Sequence, residues 1–383
     1  MSKIALVDCD SFFVSCEQAD NPELRGKAVC VVSGGNGCVV SRSREAKAAG
    51  VKMGQPLFMA KKEFPQVLYI SGRHKKYEEY SAKVMTCLQN FTSDVEICSI
   101  DEAYLKLHGL DKLYKQDFAT LAANIRQTVW KKCGIPVSVG VSSSKLLAKL
   151  ASDKAKNSGG VCVIEQADLP EVLAQTALED VCGFGRQHTA KMKMAGVFDC
   201  LEFTKQTDSW VRKYLGIAGL NLKYELLGYV VSKVKSQAGL PKSIQSTSAL
   251  TKFTSDIDVL RTSLKYHVHA AGRKLREDNC YCQTVGVMLR TKDFTVYSNY
   301  IKLAQPTNGE QELFKAAQSL LPKIYLPNIL YRSSGVMLEH LLSANDFQPN
   351  LFSVTEYKDD KISRVLDDLE KRFGKDVVKN GLF

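Results

Sequence analysis

Apolar and polar positions along the first 165 residues alternate between two rhythms. Short apolar runs at 4–7, 28–32, 67–70, 95–97, 103–107 and 137–141 read as strands. Between them, apolar residues at helical spacing predict helices over 12–19, 43–49, 74–91, 118–132 and 145–156. Such alternation predicts an α/β or α+β region. From 166 to 231 the chain turns helical, with short apolar stretches separated by glycines and charges, as in a small bundle. Segment 232–242 has no apolar period, carries three lysines with glycine and proline, and reads as a tether. Beyond it, 243–342 mixes strand-like stretches at 285–289, 297–303 and 336–341 with helices over 256–276 and 311–320. A last stretch, 362–373, is apolar at helical spacing and charged between. No internal repeat or low-complexity tract is visible.

Two of the predicted strands meet carboxylates. Val95-Glu96-Ile97-Cys98 runs into Ser99-Ile100-Asp101-Glu102, and Ile4-Ala5-Leu6-Val7 ends in Asp8-Cys9-Asp10 just before a helix. On a regular strand successive side chains point to opposite faces, so Asp101 and Glu102 converge only if the backbone turns between them. Taken separately, Asp8 and Asp10 are explained by helix capping, and Asp101 and Glu102 by a turn. Taken together, acids at two strand ends suggest a divalent-cation site. Magnesium is hard, takes oxygen ligands, and is commonly held by a few carboxylates plus substrate phosphates.

The surrounding text resembles the Y-family of DNA polymerases from residue 1 to about 352. Asp8-Cys9-Asp10-Ser11-Phe12-Phe13 is similar to the family's first metal motif and Ser99-Ile100-Asp101-Glu102-Ala103 to its second. Further matching blocks are Glu45-Ala46-Lys47 with Gly50-Val51-Lys52-Met53-Gly54, Val139-Gly140-Val141-Ser142 with Lys145-Leu146-Leu147-Ala148-Lys149-Leu150-Ala151, and Gly183-Phe184-Gly185. The resemblance implies an α+β multidomain, right-hand-like polymerase. Its palm would be 1–19 and 91–165, and its small fingers with a connecting helix 20–90. A helical thumb with a helix-hairpin-helix would span 166–231 and a linker 232–242. An α/β little finger would follow at 243–343, then a tail at 344–383 with a clamp-binding peptide. Within the family the text lies nearer the UmuC-like branch, the polymerase V catalytic subunit, than the polymerase IV branch, and implies a bacterial, phage or mobile-element source.

By the same resemblance Asp8, Asp101 and Glu102 are the catalytic, metal-binding carboxylates, with the backbone carbonyl of Cys9 as a further ligand. They would hold two Mg2+ ions, with Mn2+ able to substitute, while Asp10 holds the helix start. Phe12 and Phe13 would touch the incoming nucleotide, Phe13 as the steric gate that leaves no room for a 2′-hydroxyl. Ser41, Arg44, Lys47 and Lys156 would face its phosphates; Arg44 and Lys47 stand where much of the family carries Tyr and Arg. Gly34-Gly35-Asn36-Gly37 lacks the Walker spacing and reads as a hairpin between two fingers strands. Gly183, Phe184 and Gly185 would approach a DNA phosphate through backbone N–H groups. Lys252, Arg273, Lys274 and Arg290, with Arg276 and Lys292, would be backbone contacts without base readout. Gln348-Pro349-Asn350-Leu351-Phe352 resembles the peptide by which bacterial polymerases engage the sliding clamp, with Gln348, Leu351 and Phe352 as anchors.

Composition agrees with this reading. A chain of 383 residues is long for one core, and a formal charge of +11 favours a polyanionic partner. The twelve cysteines lack repeated metal-type pairing; Cys280-Tyr281-Cys282 reads as a strand with two thiols on one face. No signal peptide or membrane-spanning run is present, so a cytoplasmic, nucleoid-associated enzyme is expected. The expected activity is error-prone translesion synthesis by a monomeric catalytic chain without a proofreading exonuclease. Its expected partners are primer–template DNA, deoxynucleoside triphosphates, the clamp and an accessory subunit resembling UmuD. Two rivals share features with it. A palm-domain nucleotide cyclase would not need the hairpin, tether, little finger and clamp peptide, and a catalytically silent DNA or clamp adaptor would not need the three acids.

Overall fold

The structure, a computed structural model, describes residues 3–34, 37–236, 239–347 and 356–374, with only the helical backbone over 356–361. The chain divides into two compact units, Met1–Ala238 and Gly239–Phe383.

In the first unit, β1 (Ile4–Cys9) is buried along its whole length. It lies at the centre of a five-stranded sheet, so its near-continuous apolar run is what a strand covered on both faces requires. Its neighbours are the antiparallel strands β6 (Glu102–Lys106) and β7 (Val137–Ser142); β5 (Val95–Ile97) and β8 (Val161–Val163) form the edges. A separate three-stranded sheet places β2 (Val29–Val32) between β3 (Val39–Arg42), antiparallel to it, and β4 (Leu68–Ser71), parallel to it. It carries its own small core with α2 (Arg44–Ala48) and α3 (Leu57–Glu63).

The period of two along β1 sorts its side chains. Ala5, Val7 and Cys9 enter the main core with residues of α4 (His74–Gln89) and α6 (Phe118–Cys133). Ile4 and Leu6 pack on the other face against Ala148 of α7 (Lys145–Ala155). Asp8 shares the parity of Ile4 and Leu6 and therefore faces α7. That helix lies unusually close: a Cβ at Gly140 of β7 would overlap the α7 backbone at Ala148, Ala151 and Ser152. The remaining helices of this unit are α1 (Phe12–Asp20), the short α5 (Leu110–Tyr114), and a group with its own core comprising α8 (Leu169–Ala174), α9 (Arg186–Met194), α10 (Cys200–Lys205) and α11 (Asp208–Leu226).

The second unit is a four-stranded antiparallel sheet in the order β11 (Val296–Thr307), β10 (Cys280–Thr291), β12 (Tyr331–Ser343) and β9 (Ser243–Thr254). One face packs on α12 (Ile257–Glu277) and α13 (Glu310–Ile324). Cys280 and Cys282 both point into that core, as their spacing predicts. A last helix, α14 (Glu356–Phe373), lies against α12 and α13. Among the described residues, no helix is long and apolar enough to cross a membrane.

Candidate active site

The register of β1 against β6 sets Asp8 directly opposite Glu102. Glu102 has the parity of Tyr104, which packs on the Ile4 and Leu6 cluster, so both carboxylates emerge on the α7 face. Lys149 of α7 lies between them, its Nζ 2.8 Å from Asp8 Oδ2 and 2.8 Å from Glu102 Oε2. Lys156 reaches the other Asp8 oxygen at 3.1 Å and Asp153 at 2.9 Å. Burial works against the charge of Lys149, but hydrogen bonds to Asp8 and Glu102 outweigh it and hold its pKa above the ordinary lysine range.

Asp101 precedes β6 in a tight bend where Cys98 and Ser99 both donate to the Glu102 carbonyl, at 3.1 and 3.3 Å. The backbone therefore turns between the two acids. Asp101 accepts from the Ser99 hydroxyl, and its carbonyl accepts from the Cys9 N–H at 2.8 Å, tying the bend to the end of β1. Asp10 does not cap α1. Its Oδ1 accepts from Ser138 of β7 at 2.7 Å and its Oδ2 is buried without a partner, while the N-cap of α1 is Ser11.

A cleft of about 280 Å³ brings together Asp8, Cys9, Phe12, Phe13, Ser41, Lys47, Asp101 and Lys156. Phe13 stacks on Tyr77 of α4, ring centroids 4.7 Å apart and planes 20° apart, with His74 at its edge. Tyr77 is fully buried and donates to Glu17 Oε1 at 2.6 Å; Arg73 pairs with the same carboxylate. Lys47 donates to Ser11 Oγ at 3.1 Å; burial, then Arg42 and Lys156, lower its pKa. Ser41 lines the cleft, but its hydroxyl already bridges to the first turn of α1, donating to the Ser11 carbonyl and accepting from the Val14 N–H.

Arg44 is not with them. It lines a second cavity, about 510 Å³, together with Asp10, Glu45, Arg25, Arg126 and Trp130. It is the first residue of the five-residue α2 and lines a different cavity from Lys47, although their spacing predicts a shared face.

The donor set fits a hard divalent cation: carboxylate oxygens from two strands already converge on one positive charge, with a third acid beside them. Among the described residues, no group of three or more acidic, histidine or cysteine side chains stands ready to hold a metal ion. In the present arrangement the ammonium of Lys149 takes that place.

The expected DNA contacts fare unevenly. Gly183 adopts φ +104°, a conformation that favours glycine, and Gly185 opens α9. Phe184 is a correction: its N–H is already donated to the Val181 carbonyl at 3.0 Å, and its side chain, 4% exposed, packs edge-on against Phe203 in the helical core. Lys252, Lys274 and Lys292 are exposed. Arg290 is on the opposite sheet face from the core residues Val287 and Leu289, and its Nε is buried without a partner. Arg273 and Arg276 are also corrections. Arg273 pairs with Glu277 and Glu370, and Arg276 is buried against Asp367, because α14 covers this face of α12. Gln348, Leu351 and Phe352 lie outside the described residues.

Two residues important to the site escape a reading of motifs. Lys149 falls inside the stretch Lys145 to Ala151, and its signal is a lysine four residues after Lys145 on a helix following a strand. Tyr77 is visible only as an apolar position of α4.

The chain matches sequence models of the impB/mucB/samB family over residues 7–153 and of its C-terminal domain over 241–351. It is 31% identical to protein UmuC of Salmonella typhimurium, covering 98% of this chain and 92% of that protein. It is 32% identical to DNA polymerase IV of Dehalococcoides mccartyi over 83% of this chain and 82% of that enzyme. Among solved structures, the Y-family DNA polymerase chimera Dbh-Dpo4(243-245)-Dbh superimposes with a TM-score of 0.76 at 26% identity, covering 89% of this chain and 99% of the chimera. The insertion ternary complex of Dbh DNA polymerase does so with a TM-score of 0.62 at 25% identity, over 89% of this chain and 99% of that one. The chain belongs to the impB/mucB/samB family, the Y-family of DNA polymerases, as its motifs imply.

Proposed function

We propose that the 280 Å³ cleft extends a primer by template-directed transfer of deoxynucleotides, continuing past damaged template bases at low fidelity. The observation that carries this reading is the gathering of three chemistries around one small space. Acids stand at the strand ends, an aromatic wall stands at Phe12 and Phe13, and lysine charges stand at Lys47 and Lys156. Nucleotidyl transfer needs little covalent help and much positioning and charge neutralisation, and these side chains supply both.

Asp8, Asp101, Glu102 and the Cys9 carbonyl would hold two magnesium ions, manganese able to replace them, which when bound neutralise charge on the attacking and leaving oxygens. Lys47 and Lys156 act as point charges on the triphosphate. Phe13, backed by Tyr77, closes the wall against which a deoxyribose fits and a 2′-hydroxyl does not. In this reading 1–19 with 91–165 is the palm, 20–90 the fingers, 166–231 the thumb, 232–242 the linker and 243–343 the little finger. Gly183, Gly185, Lys252, Lys274 and Arg290 track the DNA backbone, giving salt-sensitive, sequence-independent binding. The peptide 348–352 docks on the sliding clamp, and a UmuD-like subunit serves the chain in a mutagenic response to DNA damage in the bacterial cytoplasm. The test is single-nucleotide insertion by Lys47→Ala and Lys156→Ala. Each loses a charge-assisted contact and should raise KM for the deoxynucleotide about tenfold or more. Unchanged KM in both variants would remove the triphosphate from this cleft.

A further inference from the structure

We infer that Lys149 is a built-in counter-cation that holds Asp8 and Glu102 together until a divalent ion takes over their charge, so that its withdrawal is part of metal loading. This rests on the proposed reading of the acids as metal ligands, and it goes beyond that reading in assigning a positioning residue to the metal-free state.

Like charges directly opposite on neighbouring strands are destabilising, and Asp8 is directly opposite Glu102 on the same face. Asp8 is only 8% exposed, so water does little to relieve the repulsion. The relief comes from α7. Gly140 lets that helix press against β7, which carries Lys149 over the end of the sheet and sets its ammonium 2.8 Å from each carboxylate. The two oxygens it touches are then no more than twice 2.8 Å apart, close enough to serve one bound cation.

The neighbouring lysines are otherwise engaged. Lys145, one turn earlier, bonds both oxygens of Glu96 at 2.6 Å, and Lys156 divides its contacts between Asp8 Oδ1 and Asp153. Lys149 alone bridges Asp8 and Glu102 among the described residues. An ammonium and a divalent ion compete for the same oxygens, so the lysine must leave Asp8 or Glu102 when metal binds. It keeps the acids in place at the cost of weakening the first metal-binding event.

Lys149→Met removes the charge and keeps the length of the chain. The test measures thermal melting of the full chain in EDTA and in Mn2+, and Mn2+ binding to the DNA-free protein by electron paramagnetic resonance. The variant should melt about 4 °C below wild type in EDTA and recover more than wild type when Mn2+ is added. Its half-saturating Mn2+ concentration should fall about tenfold. Lys149→Arg should restore melting in EDTA, and Lys145→Met, which disturbs the Glu96 pair and the ammonium over the Tyr104 ring but touches neither Asp8 nor Glu102, should leave the Mn2+ midpoint where it was. An unchanged or higher Mn2+ midpoint in Lys149→Met, or equal shifts in Lys145→Met, would overturn the assignment. Primer extension by the wild-type protein tests the polymerase reading separately: its absence with the Mn2+ midpoint still shifted would sink that reading and leave the counter-cation standing.

Discussion

Helix α14 should loosen as the pH rises through 9, because its attachment depends on a protonated histidine. His269 of α12 lies between Glu310 of α13, 3.0 Å from Nδ1, and Glu370 of α14, 3.2 Å from Nε2. Arg273 also reaches Glu370, Arg276 holds Asp367 through two bonds of 2.6 and 2.9 Å, and the Glu310 N–H donates to Ser363 Oγ at 3.3 Å. The hydrogen bond from Glu310 raises the His269 pKa most, burial opposes it, and Glu370 adds to it, for a result of about 9 against an ordinary 6.5. A folded-state pKa raised in this way contributes stability that is fully present below 6.5 and is lost as pH climbs through 9. The full shift corresponds to about 3 kcal/mol. Solvent screening at this half-buried site and the larger share of Glu310 leave about 1 kcal/mol for the hold on α14, roughly a fivefold change in its local opening. Hydrogen exchange of the full chain, normalised to intrinsic rates, should show α14 protection falling about fivefold between pH 7 and 9.5. His269→Gln should show the loss already at pH 7 and no further pH response. Equal protection of wild type at both pH values, or a pH response that survives in His269→Gln, would refute the reasoning.

Three other outcomes follow from the site. Phe13→Ala should admit ribonucleotides, seen as a loss of at least about tenfold in the preference for deoxynucleotides in single-insertion kinetics; unchanged sugar selectivity would make Phe13 packing rather than gate. Tyr77→Phe keeps the ring behind Phe13 but leaves Glu17 short of a hydrogen bond, so it should lose about 1–3 kcal/mol in denaturation and retain sugar selectivity, whereas Tyr77→Ala should lose both. Deleting 348–352 should abolish clamp-stimulated synthesis and spare basal synthesis; equal loss of both would assign the segment to the fold.

Two strands that build the site were legible, β1 because it is apolar from Ile4 to Val7 and β7 because valine recurs at every second position. Ile4 to Val7 and Val137 to Val141 announce a sheet covered on both faces, and the acids that end or follow such strands stand out against them. The pairing of Asp8 with Glu102 was not legible, since register is settled between strands 94 residues apart in the chain. The role of Lys149 was not legible for the same reason: it depends on Gly140 letting α7 approach. Strand β9 escaped because its sequence is mostly polar; Ile244 is buried, and Ser246 and Ser248 instead bond His267. Phe184 misled because a glycine-flanked motif does not show which of its N–H groups is already taken by a turn, here the one that bonds the Val181 carbonyl. Arg273 and Arg276 misled because the helix that covers them arrives more than 90 residues later. Arg44 shows the limit of spacing on a short helix, where one end points into a different cavity from the other.

The central claim is tested most directly by extension of a labelled primer by the purified chain with magnesium, on undamaged and abasic templates, beside Asp101→Ala. Synthesis past the abasic site that vanishes in the variant is the predicted result. Firm DNA binding with no extension on either template, even with sliding clamp added, would contradict it and point to an adaptor that holds DNA without copying it.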